Sequence, residues 1–216
     1  DADELGLHFD LTVPFARYVL EHSGHLNFPF RRYQVQKVWR GERPQEGRYR
    51  EFTQADIDIV GRDRLADHHD VEIPLVALDV FGKLHRDMGL PPVNIRVNNR
   101  KLSEGFYRGL GIEDTAAVLQ RVDKYDKVGP DVVVELLTEQ VGLGQSQARA
   151  CVALAGISSE DESFVDQVQA LGVTHEMLEE GLADLASLIR IARGTEPGRV
   201  VADLRIARGL DYYTGT

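Results

Sequence analysis

Arg40, Arg43, Arg48 and Arg50 crowd into the stretch "RGERPQEGRYR" (40–50), and Gln54, Asp56 and Asp58 follow at every second position. The two groups suit opposite chemistry. Guanidiniums stay charged at physiological pH and match phosphate oxygens through paired N–H donors. An amide and two carboxylates in a row suit a ligand that is cationic and donates hydrogen bonds. Together they describe a site holding phosphate at one end and an amine at the other.

Such a site needs a frame that keeps both groups on one side. Residues 30–39 and 52–60 each alternate with period two, and the polar stretch between them carries Pro44 and Gly47. That pattern predicts a β-hairpin over 30–61 with a long tip. Period two places Phe52, Gln54, Asp56 and Asp58 on one face, with successive positions about 7 Å apart. Thr53, Ala55, Ile57 and Ile59 are expected on the opposite, core-facing side, and Tyr33, Val35 and Trp39 share one side of the first strand.

Upstream, Thr12-Val13-Pro14 reads as an N-cap with proline in the first turn, opening a helix with Ala16, Val19 and Leu20 inward and an end near Ser23-Gly24. Downstream, residues 67–88 read as a helix with Val71, Leu75, Leu78 and Phe81 inward, 93–97 as a strand and 101–110 as a helix. Asn98-Asn99-Arg100 is read as a turn. From Glu113 to Arg190 the periodicity is helical throughout, broken at Gly129-Pro130, 142–144, 156–159 and Gly172. Strand character returns at 199–207. The expected fold is α+β, divided into a first core part (1–112), a helical insertion (113–191) and a return segment (192–216).

The chain has 216 residues, a net charge of −10 and 43% hydrophobic residues, which allows a real core and reads as a soluble protein. Residues 30–50 hold seven Arg or Lys against two Glu, so that segment is +5 within an acidic body. Focused positive charge on an acidic chain suits a small anionic ligand better than a long polyanion. The single Cys151 excludes an internal disulfide and fits a reducing, cytoplasmic setting. No apolar run approaches the about 18 residues that span a membrane, and no signal peptide is evident. His68 and His69 raise the question of a metal, but paired histidines at a helix start are expected to be solvated, so no metal ligand is assigned.

Three segments carry a family resemblance. "VWRGERPQEGRYREFTQADIDIVG" (38–61) resembles the second signature motif of class II aminoacyl-tRNA synthetases, in the form found in histidyl-tRNA synthetases. "ARGLDYYTGT" (207–216) resembles that family's histidine-binding signature, and "LHFDLTVPFARYV" (7–19) resembles the segment that contacts the amino acid. The resemblance implies an antiparallel sheet flanked by helices, with an all-helical insertion ahead of the "RGLDYY" segment. It also implies ATP-dependent activation of histidine and transfer to tRNA(His).

By that resemblance, Arg40 holds the ATP α-phosphate and the histidine carboxylate. Glu42 lies near the adenine amino group, Phe52 stacks on the ring, and Arg48 reaches the phosphate tail. Gln54 and Asp58 take the amino group and imidazole of histidine, while Asp10 and Thr12 bind the α-amino group. Arg208 is the catalytic arginine, with Tyr212 and Tyr213 beside it; Tyr213 is the better candidate for the imidazole pocket, and Tyr212 for packing. Asp10 and Asp58 stand where many members carry Glu. Magnesium is implied on the ATP phosphates, and Gln45 with its loop neighbours would face the acceptor end of tRNA. Arg43 and Arg50 could instead form loop ion pairs with Glu42, Glu46 or Glu51, and Asp56 could support its neighbours.

The family's first and third motifs and its anticodon-binding domain have no counterpart here, so the resemblance covers the middle of the enzyme. The chain alone is therefore expected to bind histidine and ATP weakly and to charge tRNA poorly, and the longer protein to be a homodimer. The helical block 113–190 carries fifteen acids against five Lys or Arg, which fits poorly with a tRNA-facing surface unless Arg121, Lys124, Lys127 and Arg149 cluster. The competing reading is a non-catalytic relative, a regulatory subunit or tRNA sensor. Arg40, Gln54, Asp58, Arg208 and Tyr213 argue against it, since binding alone needs no such set.

Overall fold

The computed structural model describes residues 6–207. The chain divides into two compact units, residues 1–69 and 70–216. In the first, helix α1 (Thr12–His22) precedes an antiparallel hairpin of β1 (Phe30–Trp39) and β2 (Glu51–Val60). The register runs from Phe30 opposite Val60 to Trp39 opposite Glu51. The tip closes through a tight turn in which the Gln45 N–H donates to Arg48 O at 3.1 Å and the Arg48 N–H to Gln45 O at 2.9 Å. Gly47 sits there at φ 72°, a backbone region that favours glycine.

The faces of this hairpin are the reverse of the sequence expectation. Tyr33 is 82% exposed and Val35 63%, and Ala55 and Ile57 are exposed beside them. The polar face is the sheltered one, because α1 and the segment leading into it pack there. Leu11 is buried, and Phe15 lies under the Arg32 guanidinium at 3.9 Å. Helix α1 turns Phe15 and Val19 inward, while Ala16 and Leu20 are exposed. Thr12 is the first helical residue rather than the cap; the Asp10 carboxylate accepts the Val13 N–H at 3.2 Å instead.

The second unit begins within α2 (His68–Met88), which buries Val71 and Leu78 and half-buries Leu75 and Phe81. Strand β3 (Ile95–Val97) leads into α3 (Arg100–Gly109). The helical block follows: α4 (Thr115–Val122), α5 (Tyr125–Val128), α6 (Pro130–Gln140), α7 (Gln145–Ala155), α8 (Phe164–Gln169) and α9 (Glu176–Thr195). Its starts follow local chemistry. Asp114 accepts from the Ala117 N–H at 2.9 Å, Pro130 opens α6 after Gly129, and the Gln147 side chain accepts the Gly144 N–H at 3.0 Å.

The block is not helical alone. Ser158–Ser159 form a two-residue strand, β4, antiparallel to β5 (Val200–Asp203), while β3 pairs with β5 in parallel. The α+β class holds, with this second sheet mixed. Phe106, Tyr107, Val118, Leu154, Phe164 and Leu185 lie in one buried cluster with Val200 and Ala202 of β5. Burial pushes the Tyr107 hydroxyl far above its ordinary value and the Cys151 thiol up to about 12, so both remain neutral packing groups.

Residues 98–100 do more than turn. Asn99 caps α3 by accepting the Leu102 N–H at 3.3 Å. Asn98, also buried, donates from Nδ2 to Ile206 O at 2.8 Å and Ser103 Oγ at 3.1 Å, and its Oδ1 accepts the Asn99 N–H. It ties the end of β3 to the strand exit before Arg208. Asn98→Asp keeps the shape and removes both donors, setting a carboxylate against a carbonyl. Urea unfolding is expected to show a loss of about 1–3 kcal/mol, against little change for a surface Asn94→Asp control.

Candidate functional site

The first unit gathers the predicted hairpin residues on one side. Pair by pair across the register, Arg32 faces Asp58, Gln34 faces Asp56, and Gln36 faces Gln54. These six side chains make a polar floor. Along β1, Arg32 Nη1 donates to Gln34 Oε1 at 2.5 Å and Gln34 Nε2 to Gln36 Oε1 at 2.5 Å. Along β2, Gln54 Nε2 donates to the Asp56 oxygens at 2.8 and 3.0 Å, so Asp56 supports its neighbour as expected. Across the strands, Arg32 Nη2 lies 2.7 Å from Asp58 Oδ2 as an ion pair.

Two acceptors on this floor stand out. Gln54 Oε1 is buried and accepts no hydrogen bond among the described residues, while the equally buried Asp58 Oδ2 is met by the Arg32 guanidinium as an ion pair without an aligned hydrogen bond. Buried acceptors are nearly always satisfied, so Gln54 Oε1 marks a place where a donor from outside the chain would be favourable. Burial, followed by the nearby Asp56 charge, holds the Asp58 carboxyl above its ordinary value, with Arg32 opposing that shift.

Arg40 stands where β1 gives way to the tip. Its guanidinium lies 4.5 Å from the Phe9 ring and 5.0 Å from the Phe52 ring, and Nε donates to Phe9 O at 3.4 Å. Its backbone N–H donates to Arg50 O at 2.8 Å. Phe9 and the preceding residues run beside the strand end, with Trp39 N–H donating to His8 O at 3.0 Å and the two rings edge to face. The hairpin thus presents a fixed planar cation flanked by two aromatic faces.

At the tip, Arg48 forms an ion pair with Glu42, and Arg50 Nε donates to the Glu42 backbone carbonyl at 3.2 Å. The ion pairs suggested for Arg43 and Arg50 are not among those the described residues form. Glu51 is taken by Lys37 at 3.0 Å and by the Trp39 indole N–H at 3.0 Å, which hold its carboxyl below its ordinary value. Asp10 and Thr12, both half-buried, sit at the start of α1 in the same unit. His69 is buried rather than solvated, with the His68 ring 4.0 Å away. Arg208, Tyr212 and Tyr213 lie outside the described residues.

Sequence reasoning missed Arg32, Gln34 and Phe9. The register carried the signal for Arg32: with Trp39 opposite Glu51, Arg32 falls opposite Asp58. Phe9 had no comparable signal, since its place depends on how the segment before α1 lies on the strand.

Among the described residues, no helix is long and apolar enough to cross a membrane. The family model described as histidyl-tRNA synthetase matches residues 1–216. A histidine–tRNA ligase of Cutibacterium acnes is 67% identical over 214 residues, covering 99% of this chain and 47% of the relative. One from Micrococcus luteus is 61% identical over 219 residues, covering 100% of this chain and 46% of the relative. Among solved structures, histidyl-tRNA synthetase from Nostoc sp. PCC 7120 superposes with a TM-score of 0.83 at 33% identity, over 96% of this chain and 47% of that one. A Bacillus halodurans structure titled ATP phosphoribosyltransferase regulatory subunit/histidyl-tRNA synthetase superposes at 0.74 with 20% identity over 96% of this chain and 52% of that one, a likeness of fold alone. The chain spans about half the length of the curated relatives it matches. It belongs to the histidyl-tRNA synthetase family.

Proposed function

We propose that this chain supplies part of the histidine- and ATP-binding core of a histidine–tRNA ligase, at work in the cytoplasm as a homodimer. Within it, residues 1–112 and 192–216 belong to the catalytic core and 113–191 to a helical insertion. The observation that carries the reading is the hairpin floor. A buried acceptor without a donor, Gln54 Oε1, and the Arg32-paired carboxylate of Asp58 lie on the same β2 face as Phe52, whose ring flanks Arg40. Amine and imidazole N–H groups suit the acceptors, and an α-phosphate suits the guanidinium.

In the reaction, a histidine carboxylate oxygen attacks the α-phosphorus of ATP in line, a P–O bond forms, and pyrophosphate leaves. A hydroxyl of the tRNA 3′-terminal ribose then attacks the acyl carbon of the adenylate, an ester bond forms, and AMP leaves. The chain's share is positioning and charge stabilisation. Arg40 orients carboxylate and phosphate; Gln54 and Asp58 fix the histidine; and Asp10 and Thr12 meet its α-amino group; on the resemblance alone, Arg208 is assigned the charge on the α-phosphate, and Tyr212 and Tyr213 the histidine. Phe52 offers the adenine a stacking face, with Glu42 near its amino group. Arg48 turns from Glu42 to the phosphate tail. Magnesium carried with ATP would neutralise phosphate charge, with no ligand on this chain assigned to it. Gln45 and its neighbours face the tRNA acceptor end.

The reading is tested by calorimetric titration of the full-length protein with L-histidine. Selective binding is expected, weakened by about 10- to 100-fold in Asp58→Asn, the range lost when a hydrogen bond to a charged group is removed. Equal affinity in Asp58→Asn and the parent would overturn the assignment of the floor.

A further inference from the structure

We infer that Arg32 is a positioning residue for histidine recognition: it holds the Asp58 side chain in place as a carboxylate, with Oδ2 turned toward β1. This rests on the reading of Asp58 as a histidine ligand and extends it to a residue that touches no substrate.

Four observations place Arg32 in that role. Its side chain is only 9% exposed, beside an Asp58 side chain at 26%, so the 2.7 Å ion pair is sheltered from solvent screening on the arginine side. Its guanidinium is held on three sides. Phe15 stacks against it at 3.9 Å, Nη1 donates to Gln34 Oε1 at 2.5 Å, and Nη2 reaches Leu11 O at 3.5 Å. A fork fixed this way cannot swing out to meet a ligand, and Nε is itself buried without a partner among the described residues. Finally, strand register sets Arg32 directly opposite Asp58, so the pairing is built into the hairpin.

The chemistry follows from charge. Asp58 sits in partial burial with Asp56 two positions away on the same face, and both conditions favour the protonated acid. Arg32, on the facing strand, is the group that opposes them. Among the described residues, the charged groups that act on Asp58 are thus Arg32 from β1 and Asp56 from β2. A protonated Asp58 would offer a donor where histidine also brings N–H donors. With Arg32 in place the group remains an acceptor, and a substrate amine or imidazole N–H meets a carboxylate.

The test is histidine-dependent ATP–pyrophosphate exchange by the full-length protein, followed against pH. Arg32→Met removes the charge, and Asp58 then titrates at higher pH. The acid limb of kcat/KM for histidine is expected to move up by about one pH unit or more, the size of effect an adjacent opposite charge exerts. At neutral pH the KM for histidine rises about tenfold or more while that for ATP stays put. Arg32→Lys keeps a charge but not the fork, and is expected to restore most of the limb. Phe15→Leu, which removes the stacking partner alone, is expected to lower the melting temperature without moving the limb. A purely structural Arg32 would lower melting temperature and kcat with the limb unmoved, and that result, or a parallel rise in both KM values, overturns the inference. Asp58→Asn separates the layers. If it leaves the histidine KM and the limb intact, the underlying assignment of Asp58 fails; if it removes both while Arg32→Met changes neither, only the role of Arg32 fails.

Discussion

Arg40→Ala is expected to reduce ATP–pyrophosphate exchange by the full-length protein by on the order of a thousandfold, chiefly in kcat, as removal of a preorganised charge-stabilising donor does elsewhere. The guanidinium is immobilised before any substrate arrives, with Phe9 and Phe52 flanking it and Phe9 O accepting from Nε. Its charge is therefore aimed without reorganisation at the moment of reaction. The same contacts say why folding should survive the change. Each exposed cation–π contact contributes about 0.5–1 kcal/mol, and the backbone bond from Arg40 N–H to Arg50 O is untouched. Arg40→Lys should recover little, because an ammonium has neither the planar fork nor the stacking surface. Exchange by Arg40→Ala near the parent rate would remove Arg40 from the chemistry and reopen the reading of the chain as a non-catalytic relative.

The hairpin was legible in the sequence because alternation and a turn-rich tip are local signals. Which face is covered was not legible. Thr53, Ala55 and Ile57 read as core by their chemistry, yet that side is exposed, while Arg32, Gln34, Gln54 and Asp58 are half-buried. Period two announces two faces; only a tertiary contact, here Phe15 on Arg32, decides between them. The same limit explains Ser158–Ser159. Two residues carry no periodicity, and their strand exists because β5 offers an edge. Asn98 and Asn99 were read as a turn, since a cap and a long-range bond to Ile206 look alike from one sequence. At the site, residue identities came from the resemblance, and the structure added the floor's bonding and the Arg32–Asp58 pair. For Arg208, Tyr212 and Tyr213 the resemblance is the whole basis.

The other large effect concerns the helix pair that anchors the second unit. At Gly181 of α9, a Cβ would lie 2.2 Å from the Leu102 backbone nitrogen; at Gly105 of α3, a Cβ would lie 2.3 Å from the Leu178 nitrogen. Neither clash can be relieved by a rotamer change, because the added carbon and its target are both fixed to helical backbone. The helices must separate, opening contacts around Leu102, Phe106, Leu178 and Leu185, all buried. Gly181→Ala is therefore expected to destabilise the 216-residue chain by about 1–3 kcal/mol in urea unfolding, even though alanine is worth about 1 kcal/mol more than glycine in a helix. Gly194→Ala, in the same helix with nothing within 4 Å of its added Cβ, isolates that propensity gain and should be neutral or stabilising. The double variant Gly105→Ala/Gly181→Ala should cost less than the two singles together, since one outward shift of α3 from α9 relieves both contacts. Strict additivity would mean that each glycine relaxes locally. Equal stability of Gly181→Ala and Gly194→Ala would show that the helices pack less closely than the two glycines imply.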